Sequence, residues 1–517
     1  MPRPRGWRRT RSARWVERSP LMAEERPLPE RFARAGATLE LGRALRPRGV
    51  VRRVGDGVAE ISGLEDVGSE ELVAFDSGAL GMAYDLRPGG TGILLLSGAA
   101  RVSAGEGVRR LHRPASVPVG ASLLGRVVDP LGAPLDDGPP LDGEERRAHF
   151  QPAPELMARR SIDQSLLTGV MVIDAAIPIG RGQRELIVGD RNVGKTSLAL
   201  DLVAHQRPGD VACVYVIIGQ PMSRVLSLRA TLAKAGALAN TAIIAADAAR
   251  EPGMQYLAPY AGASVAEWFR DQGRDALVVY DDLTKHADAY RELALLLNRP
   301  PGREAYPGDI FYVHAELLER AAARATRAGG GSVTAFPIVE TTDSDISAYI
   351  PTNLISITDG QIYLDTGRFE RNLRPAVDIG RSVSRIGSVA QRPAMRQAAR
   401  NLRILMSRFE SLEALTRVGL DVEESTRRTL RRGQVMRELL RQGRLSPRTV
   451  SAQVFALTGV AEGWLEGLEP ARAAARMWSA VERARRVAPE AMRGLDGEVP
   501  LAEDWKERLR ACLEGPA

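Results

Sequence analysis

The sequence predicts a multidomain protein with a small N-terminal β-barrel or sandwich, a central α/β P-loop nucleotide-binding domain and a C-terminal α-helical bundle. Three observations carry this reading. Short β-type runs separated by Gly, Asp and Ser fill the stretch from about Gly49 to Pro114. A strand, a phosphate-binding turn and a helix follow one another between Arg184 and Asp201, and apolar strand candidates alternate with helical patterns after them. Beyond about Pro393 only helical spacing of apolar residues remains.

At 517 residues the chain exceeds one ordinary core, and about three domains are expected. A hydrophobic content of 44% with 26% charged residues describes a globular protein, and no apolar run approaches the ~20 residues of a membrane span. Any membrane contact is therefore expected to be indirect. The net charge of +7 is concentrated at the N-terminus, where Met1 to Pro20 is dense in arginine and holds a single acidic residue, Glu17. Such a stretch reads as a basic tail, as an organelle presequence, or as a start placed too early, with Met22 the true beginning. The third reading is favoured, because the only lysines are Lys195, Lys234, Lys285 and Lys506, an arginine bias that suggests a GC-rich genome. Cys213 and Cys512 are the only cysteines and the five histidines are scattered, so neither a disulfide framework nor a zinc site is indicated.

In the β-rich stretch the runs are Val50-Val51, Val58 to Ile61, Leu72 to Phe75 and Ile93 to Leu96, with turns such as Gly55-Asp56-Gly57 between them. Ser116 to Asp142 reads as one strand, around Leu123 to Asp129, followed by a loop or linker. The α/β pattern then begins. Leu186, Ile187 and Val188 are the buried strand, and Gly189-Asp190-Arg191-Asn192-Val193-Gly194-Lys195-Thr196 fits GxxxxGK[ST]. The turn aims backbone N–H groups inward, and the helix opening at Thr196 and Ser197 adds its positive dipole end, so the pattern points to ATP or ADP. Lys195 is placed to reach the β and γ phosphates, and the Thr196 hydroxyl to ligate Mg²⁺. Further strands are expected at Val211 to Ile218, Thr241 to Ala245 and Ala276 to Tyr280, with helices near Val225 to Ala235 and Ser264 to Arg270. The strand Leu277 to Tyr280 ends in Asp281-Asp282, and a carboxylate at the end of a buried strand beside a phosphate turn is where a magnesium partner is needed. Asp281 is the choice for it. In the C-terminal part Leu402, Leu405, Phe409 and Leu412 fall at helical spacing, and helices are expected around Glu424 to Leu440, Val454 to Leu465 and Arg472 to Val487.

Several longer stretches resemble one family. Val58 to Leu64, Val117-Pro-Val-Gly-Ala-Ser-Leu-Leu-Gly-Arg-Val-Val-Asp129, Pro178 to Leu186, Pro300 to Asp309, Ser347-Ala-Tyr-Ile-Pro-Thr-Asn353 and Ser382-Val-Ser-Arg-Ile-Gly387 together are similar to the alpha subunits of F-type ATP synthases, from about residue 45 to 465. The resemblance implies a basic extension over 1–45, a β-barrel over 46–115, a RecA-like nucleotide domain over 116–392 and a helical domain over 393–517. It implies three such chains alternating with three beta subunits around a gamma shaft, a peripheral stalk, and a place on the cytoplasmic face of a bacterial inner membrane, joined only indirectly to the membrane sector and without nucleic acid.

The same resemblance assigns roles. The catalytic beta relatives need a carboxylate after the strand that follows the phosphate-loop helix; here that strand ends Ile217-Ile-Gly-Gln220, the alpha pattern, which implies a site that binds MgATP without useful turnover. Arg385 matches the arginine finger that alpha lends to the neighbouring beta site. Arg374-Pro375 and Gln442 match positions on the adenine side, and Pro300 to Asp309 a loop facing the shaft. Departures from the family pattern are Asn192 and Val193, where Gln-Thr is usual, Arg444, where a second glutamine is usual, and Glu24 to Arg48, which lacks the amphipathic helix that docks the delta-type stator subunit. They suggest a divergent branch. The choice between H⁺ and Na⁺ belongs to the membrane ring. The rival reading is a self-sufficient hexameric ATPase, an export ATPase or a Rho-like nucleic-acid translocase; Gln220 argues against the first, and 5% aromatic content with a terminal basic excess argues against the second.

Overall fold

A computed structural model describes residues 48–206, 210–416, 423–497 and 504–514. The expectations for residues 1–47, among them the Met22 start and the stator-docking segment, lie outside these. Six strands close a barrel: β1 (Arg48–Gly55), β2 (Val58–Ser62), β3 (Glu71–Phe75), β4 (Leu80–Arg87), β5 (Gly90–Ser97) and β6 (Gly107–Pro114), in the order β1-β2-β5-β4-β3-β6. Closure, rather than a sandwich, leaves no free edge. The unbroken apolar run in β5 has a cause in the two-residue period of a strand. Ile93 and Leu95 fill the barrel with Ile61, Val73, Phe75 and Val108. Leu94 and Leu96 point outward and, with Leu72 and Met82, join the core of the central domain.

Between barrel and central sheet, β7 (Ser116–Val119) pairs antiparallel with β9 (Glu145–Ala148). The strand expected around Leu123 to Asp129 is reduced to β8 (Val127–Val128), which adds to the edge of the central sheet. Its ends are consumed by turns: residues 121–123 form a 3-10 turn, and the Asp129 carboxylate accepts from the N–H groups of Leu131 at 2.9 Å and Ala133 at 2.8 Å.

The central sheet holds β10 (Leu186–Asp190), β11 (Val211–Gln220), β12 (Thr241–Asp247), β13 (Asp275–Asp281), β14 (Ser332–Thr341), β15 (Gly360–Leu364) and β16 (Val383–Ser384), in the order β16-β15-β10-β14-β13-β11-β12-β8. Every pairing is parallel except that of β15 with β16. Alternate residues feed two cores. Ile187, Tyr215, Val279 and Ile338 face the side covered by the helices Lys195–His205 and Met222–Lys234 and by the C-terminal helices. Val188, Val214, Val278 and Val339 face the helix Pro252–Asp271 and the barrel. Strands buried on both faces need helices on both.

β14 and β15 are additions to the sequence reading. Pro337 argues against a central strand, yet β14 lies between β13 and β10. Its pairing with β13 runs to Tyr280↔Pro337; on the β10 side the bridge Arg184↔Ala335 precedes the proline and the ladder resumes at Ile187↔Ile338, so the residue without an N–H stands in a gap of that ladder. The helix expected over Ser264 to Arg270 instead spans Pro252–Asp271, with Pro252 in its first turn and Pro259 inside. Its residues are buried on nearly every side, so no amphipathic stripe marks its first half. The C-terminal helices include Pro393–Ala399, Leu402–Thr416, Glu424–Leu440, Val450–Ala461 and Pro470–Val487, close to the expected positions. Among the described residues no helix is long and apolar enough to cross a membrane.

One buried ion pair ties the layers. Arg320, 1% exposed, donates to Glu267 Oε2 at 2.6 Å, to Ser264 Oγ at 3.0 Å and to the His149 carbonyl at 2.6 Å. Removing Arg320 leaves the buried Glu267 charge with only the longer Arg270 contact at 3.4 Å. Arg320→Ala is expected to lower the unfolding free energy by about 3–5 kcal/mol, read as a shift of the urea midpoint.

Candidate nucleotide-binding site

The phosphate loop joins β10 to the helix Lys195–His205. Gly194 caps that helix with φ 103°, a conformation glycine adopts without strain, and Asn192 takes φ 66°, which asparagine tolerates. Val193 turns its side chain into the core, leaving its backbone for the loop. Lys195 is buried, and its Nζ donates to the carbonyls of Gly189 at 2.8 Å and Asp190 at 2.6 Å. Burial lowers its pKa, with the carboxylates of Glu340, Asp282 and Asp281 pulling the other way. Asp190 braces the loop: its carboxylate accepts from Thr341 Oγ1 at 2.6 Å, from the N–H and Oγ of Ser344 at 2.9 and 2.8 Å, and from Thr366 Oγ1 at 2.9 Å. Burial opposes its ionisation, but these bonds outweigh burial and hold its pKa below the usual value.

Asp281 ends β13 and is buried. Its Oδ2 accepts from Thr196 Oγ1 at 3.0 Å and from Tyr215 OH at 2.9 Å, and its Oδ1 accepts from Gln220 Nε2 at 2.9 Å. Burial raises its pKa against these three donors and Lys195. Asp282 caps the next helix by accepting from the Lys285 N–H at 2.8 Å. Burial, then Asp281, pushes its pKa up to about 7. The sequence reading thus brings together Lys195, Thr196, Ser197, Gln220 and Asp281 around one cavity of about 390 Å³, together with Arg191 and Asn192. Several of its lining residues, among them Glu340 and Arg224, escaped that reading. Glu340, at the end of β14, lies 3.6 Å from Lys195 and 3.3 Å from Arg191, and went unseen because β14 did. Arg224, in the first turn of the helix Met222–Lys234, lines the same cavity, and nothing in its local sequence marks it.

A second cavity of about 630 Å³ shares Asn192, Gly194 and Ser197 with the first and extends to Phe369, Arg374, Pro375 and Gln442. Arg374 lies over the Phe369 ring, 4.6 Å from its centroid. The Gln442 carboxamide is occupied by the backbone: it donates to the carbonyls of Gly169 at 2.7 Å and Ser446 at 2.8 Å and accepts from the Met171 N–H at 3.1 Å. It therefore shapes the wall by tying Gly169–Met171 to the C-terminal helices.

Arg385 lines neither cavity. It follows β16, its N–H donates to the Asp359 carbonyl at 2.8 Å, and its side chain is exposed. Among the described residues its guanidinium makes no ion pair or hydrogen bond. The phosphate loop borders the carboxyl end of β15 through Gly189↔Leu364, whereas Arg385 lies beyond the amino end, next to Gly360↔Ser384. Four residue steps of strand, roughly 13 Å, separate the two.

Residues 169–384 match the ATP synthase alpha/beta family, nucleotide-binding domain, and residues 391–515 match the ATP synthase alpha/beta chain, C-terminal domain. Among curated relatives, ATP synthase subunit alpha 2 of Syntrophotalea carbinolica is 50% identical over 80% of this chain and 80% of its own length. ATP synthase subunit alpha of Caldanaerobacter subterraneus subsp. tengcongensis is 45% identical over 90% of this chain and 92% of its own. That of Dehalococcoides mccartyi is 48% identical over 81% and 84%.

The chain belongs to the alpha-subunit side of the ATP synthase alpha/beta family. As an ATP synthase alpha chain it carries a nucleotide-binding domain for ATP or ADP and works within an ATP-synthesising complex. Its departures from the family pattern have local consequences at the second cavity. Arg444 and Asp201 line this cavity together, and the Asp201 carboxylate accepts from the Leu445 N–H at 2.7 Å. Burial raises the Asp201 pKa to about 6, with Leu445 and Arg444 offsetting part of the rise. The folded chain therefore holds a proton that the unfolded chain, at an ordinary 3.8, releases. Stability from this group is present at low pH and declines as pH rises from about 4 to about 6. Asp201→Asn is expected to flatten the dependence of Tm on pH across that window in nucleotide-free protein, measured by thermal melts.

Proposed function

We propose that this ATP synthase alpha chain binds MgATP at a non-catalytic, regulatory site and supplies Arg385 to the catalytic site of an adjacent beta subunit. In the complex it alternates with beta around the gamma shaft, and hydrolysis or synthesis there is coupled to ion transport. The observation that carries this is the separation just described: an exposed guanidinium without a partner among the described residues, at the end of the sheet opposite its own phosphate loop. An arginine side chain does not bridge that span, so the phosphate it serves belongs to another chain.

At the chain's own site, Lys195 and the loop N–H groups would hold the β and γ phosphates. Thr196 Oγ1 and the Asp281 carboxylate, 3.0 Å apart, are hard oxygen donors suited to Mg²⁺, which takes one or two carboxylates and completes its shell with phosphate and water. When bound, the metal would neutralise phosphate charge. Turnover needs a base for the attacking water, and Gln220 supplies a neutral amide whose Nε2 is committed to Asp281. Of the other carboxylates of the cavity, Glu340 is engaged by Lys195 and Arg191, and Asp282 is turned to the Lys285 N–H as the cap of the next helix. Nucleotide held here is a structural and regulatory ligand.

At the neighbouring site, Arg385 would place a planar, permanent charge against the γ-phosphate as its charge redistributes, an effect worth about 10³–10⁵ in rate in phosphoryl-transfer enzymes. Steady-state ATP hydrolysis by the chain alone, and after reconstitution with beta and gamma, tests both halves. The chain alone should bind MgATP and be nearly inert, and the complex should lose roughly 10³-fold or more of its activity with Arg385→Ala. Brisk turnover by the isolated chain would overturn the non-catalytic reading.

A further inference from the structure

The second cavity carries hydrogen-bonding groups that no other described residue uses. It shares Asn192, Gly194 and Ser197 with the phosphate cavity and runs from there along the helix Lys195–His205. Ser197 and Asp201, four residues apart, line it from one face of that helix, and six residues carry Asp201 about 9 Å along the axis from Lys195. Leu364, Phe369 and Pro375 add apolar wall, and the volume of about 630 Å³ has room for a nucleoside. A nucleotide whose phosphates sit on the loop has this cavity for its base.

Most polar side chains around the base end are already spent. Gln442 gives its amide to the backbone, Arg441 donates to Glu438 at 2.9 Å, and Arg374 lies over the Phe369 ring. Asn372 offers an amide, which donates and accepts alike. Two groups remain: Arg444, and Asp201, the only carboxylate that lines the cavity among the described residues. One turn sets them side by side. Asp201 Oδ1 accepts from the N–H of Leu445, the residue after Arg444, at 2.7 Å. Leu445 takes φ 53°, a left-handed conformation costly for leucine, and the bonds of Asp201 and of Gln442 to the Ser446 carbonyl hold the turn in it. The other Asp201 oxygen has no hydrogen-bond partner among the described residues, and the Arg444 guanidinium makes no ion pair or hydrogen bond among them.

A carboxylate that only accepts and a guanidinium that only donates fit one purine better than the other. Guanine shows two adjacent donors, N1–H and the 2-amino group, and two adjacent acceptors, O6 and N7. The donors suit a carboxylate and the acceptors a guanidinium, two bonds to each. Adenine instead places its 6-amino donor between the acceptors N1 and N7, so each side chain finds one bond. The Leu445 N–H takes one of about four lone-pair positions on the Asp201 carboxylate, which leaves enough for both guanine donors.

We propose that Asp201 and Arg444 read the base at the chain's own nucleotide site and make it take guanine nucleotides as well as adenine nucleotides, the guanine form more tightly. This deepens, and rests on, the reading of the phosphate loop as a site that holds nucleotide without turning it over.

The test is isothermal titration calorimetry of the full chain with Mg²⁺ at pH 8, above the Asp201 pKa of about 6, against ATP, GTP and ITP, whose base is guanine without the 2-amino group. GTP should bind several-fold more tightly than ATP, and ITP more weakly than GTP. Asp201→Asn and Arg444→Gln should each raise the Kd for GTP about tenfold and that for ATP by no more than about twofold. ATP bound as tightly as GTP by the unaltered chain, or substitutions that weaken all three nucleotides equally, would overturn the proposal and leave the two residues as braces of the turn. If the unaltered chain binds none of the three, the reading of the phosphate loop fails first and this proposal with it; a chain that binds ATP alone leaves that reading standing and sinks only this one. Folding is checked by thermal melts. Should Asp201→Asn not fold, Arg444→Gln, a change at an exposed side chain, decides by the same ratio.

Discussion

The nucleotide site is organised by a charge problem at the carboxyl ends of β11 and β13. Asp281 is buried, and the donors that satisfy its lone pairs, Tyr215, Thr196 and Gln220, are all neutral. They orient the carboxylate without offsetting its charge, and burial accordingly raises its pKa. Asp282 beside it is pushed up to about 7, and Glu340 stands across the loop. The buried cation nearby is Lys195, drawn back onto the loop carbonyls. Triphosphate would add further negative charge, so electrostatics argue that nucleotide enters with a divalent cation, for which Thr196 and Asp281 are already side by side. The order of the sheet serves this arrangement, because parallel strands deliver the loop, Gln220, Asp281 and Glu340 to one end.

The parts of this architecture written in local pattern were legible in the sequence. Gly189 to Thr196 is a contiguous motif whose chemistry depends on backbone geometry and two side chains, so eight residues carry it. Asp281 was legible because an apolar run ended in it. The parts set by tertiary context were not. β14 hides behind Pro337, which sits in a gap of the β10 ladder between Arg184↔Ala335 and Ile187↔Ile338, and with β14 went Glu340. The first half of the helix Pro252–Asp271 shows no periodicity because it is enclosed by sheet, barrel and neighbouring helices. Asp201 ends the stretch that was read correctly, but its carboxylate is held by the Leu445 N–H, 244 residues away along the chain.

The second cavity shows how a matched position can act differently from its label. Gln442 is expected on the adenine side, and it lines the second cavity. Its amide, however, spends its donors and its acceptor on Gly169, Ser446 and Met171. Its amide shapes the cavity wall instead of pointing into it. Arg444 lines the same cavity as Asp201, and its charge offsets part of the rise that burial gives the Asp201 pKa.

β15 connects the phosphate loop with the root of Arg385. Its carboxyl end borders the phosphate loop at Leu364, and its amino end carries β16 and the root of Arg385 at Gly360. A strand hydrogen-bonded on both sides bends little over four residues, so the base of Arg385 is fixed relative to the loop that grips the chain's own nucleotide. Asp359, just before β15, reinforces the junction: its carbonyl accepts from the Arg385 N–H and its carboxylate from the N–H and the guanidinium of Arg184. With the root immobile, adjustment is left to the three-carbon stem and guanidinium of Arg385.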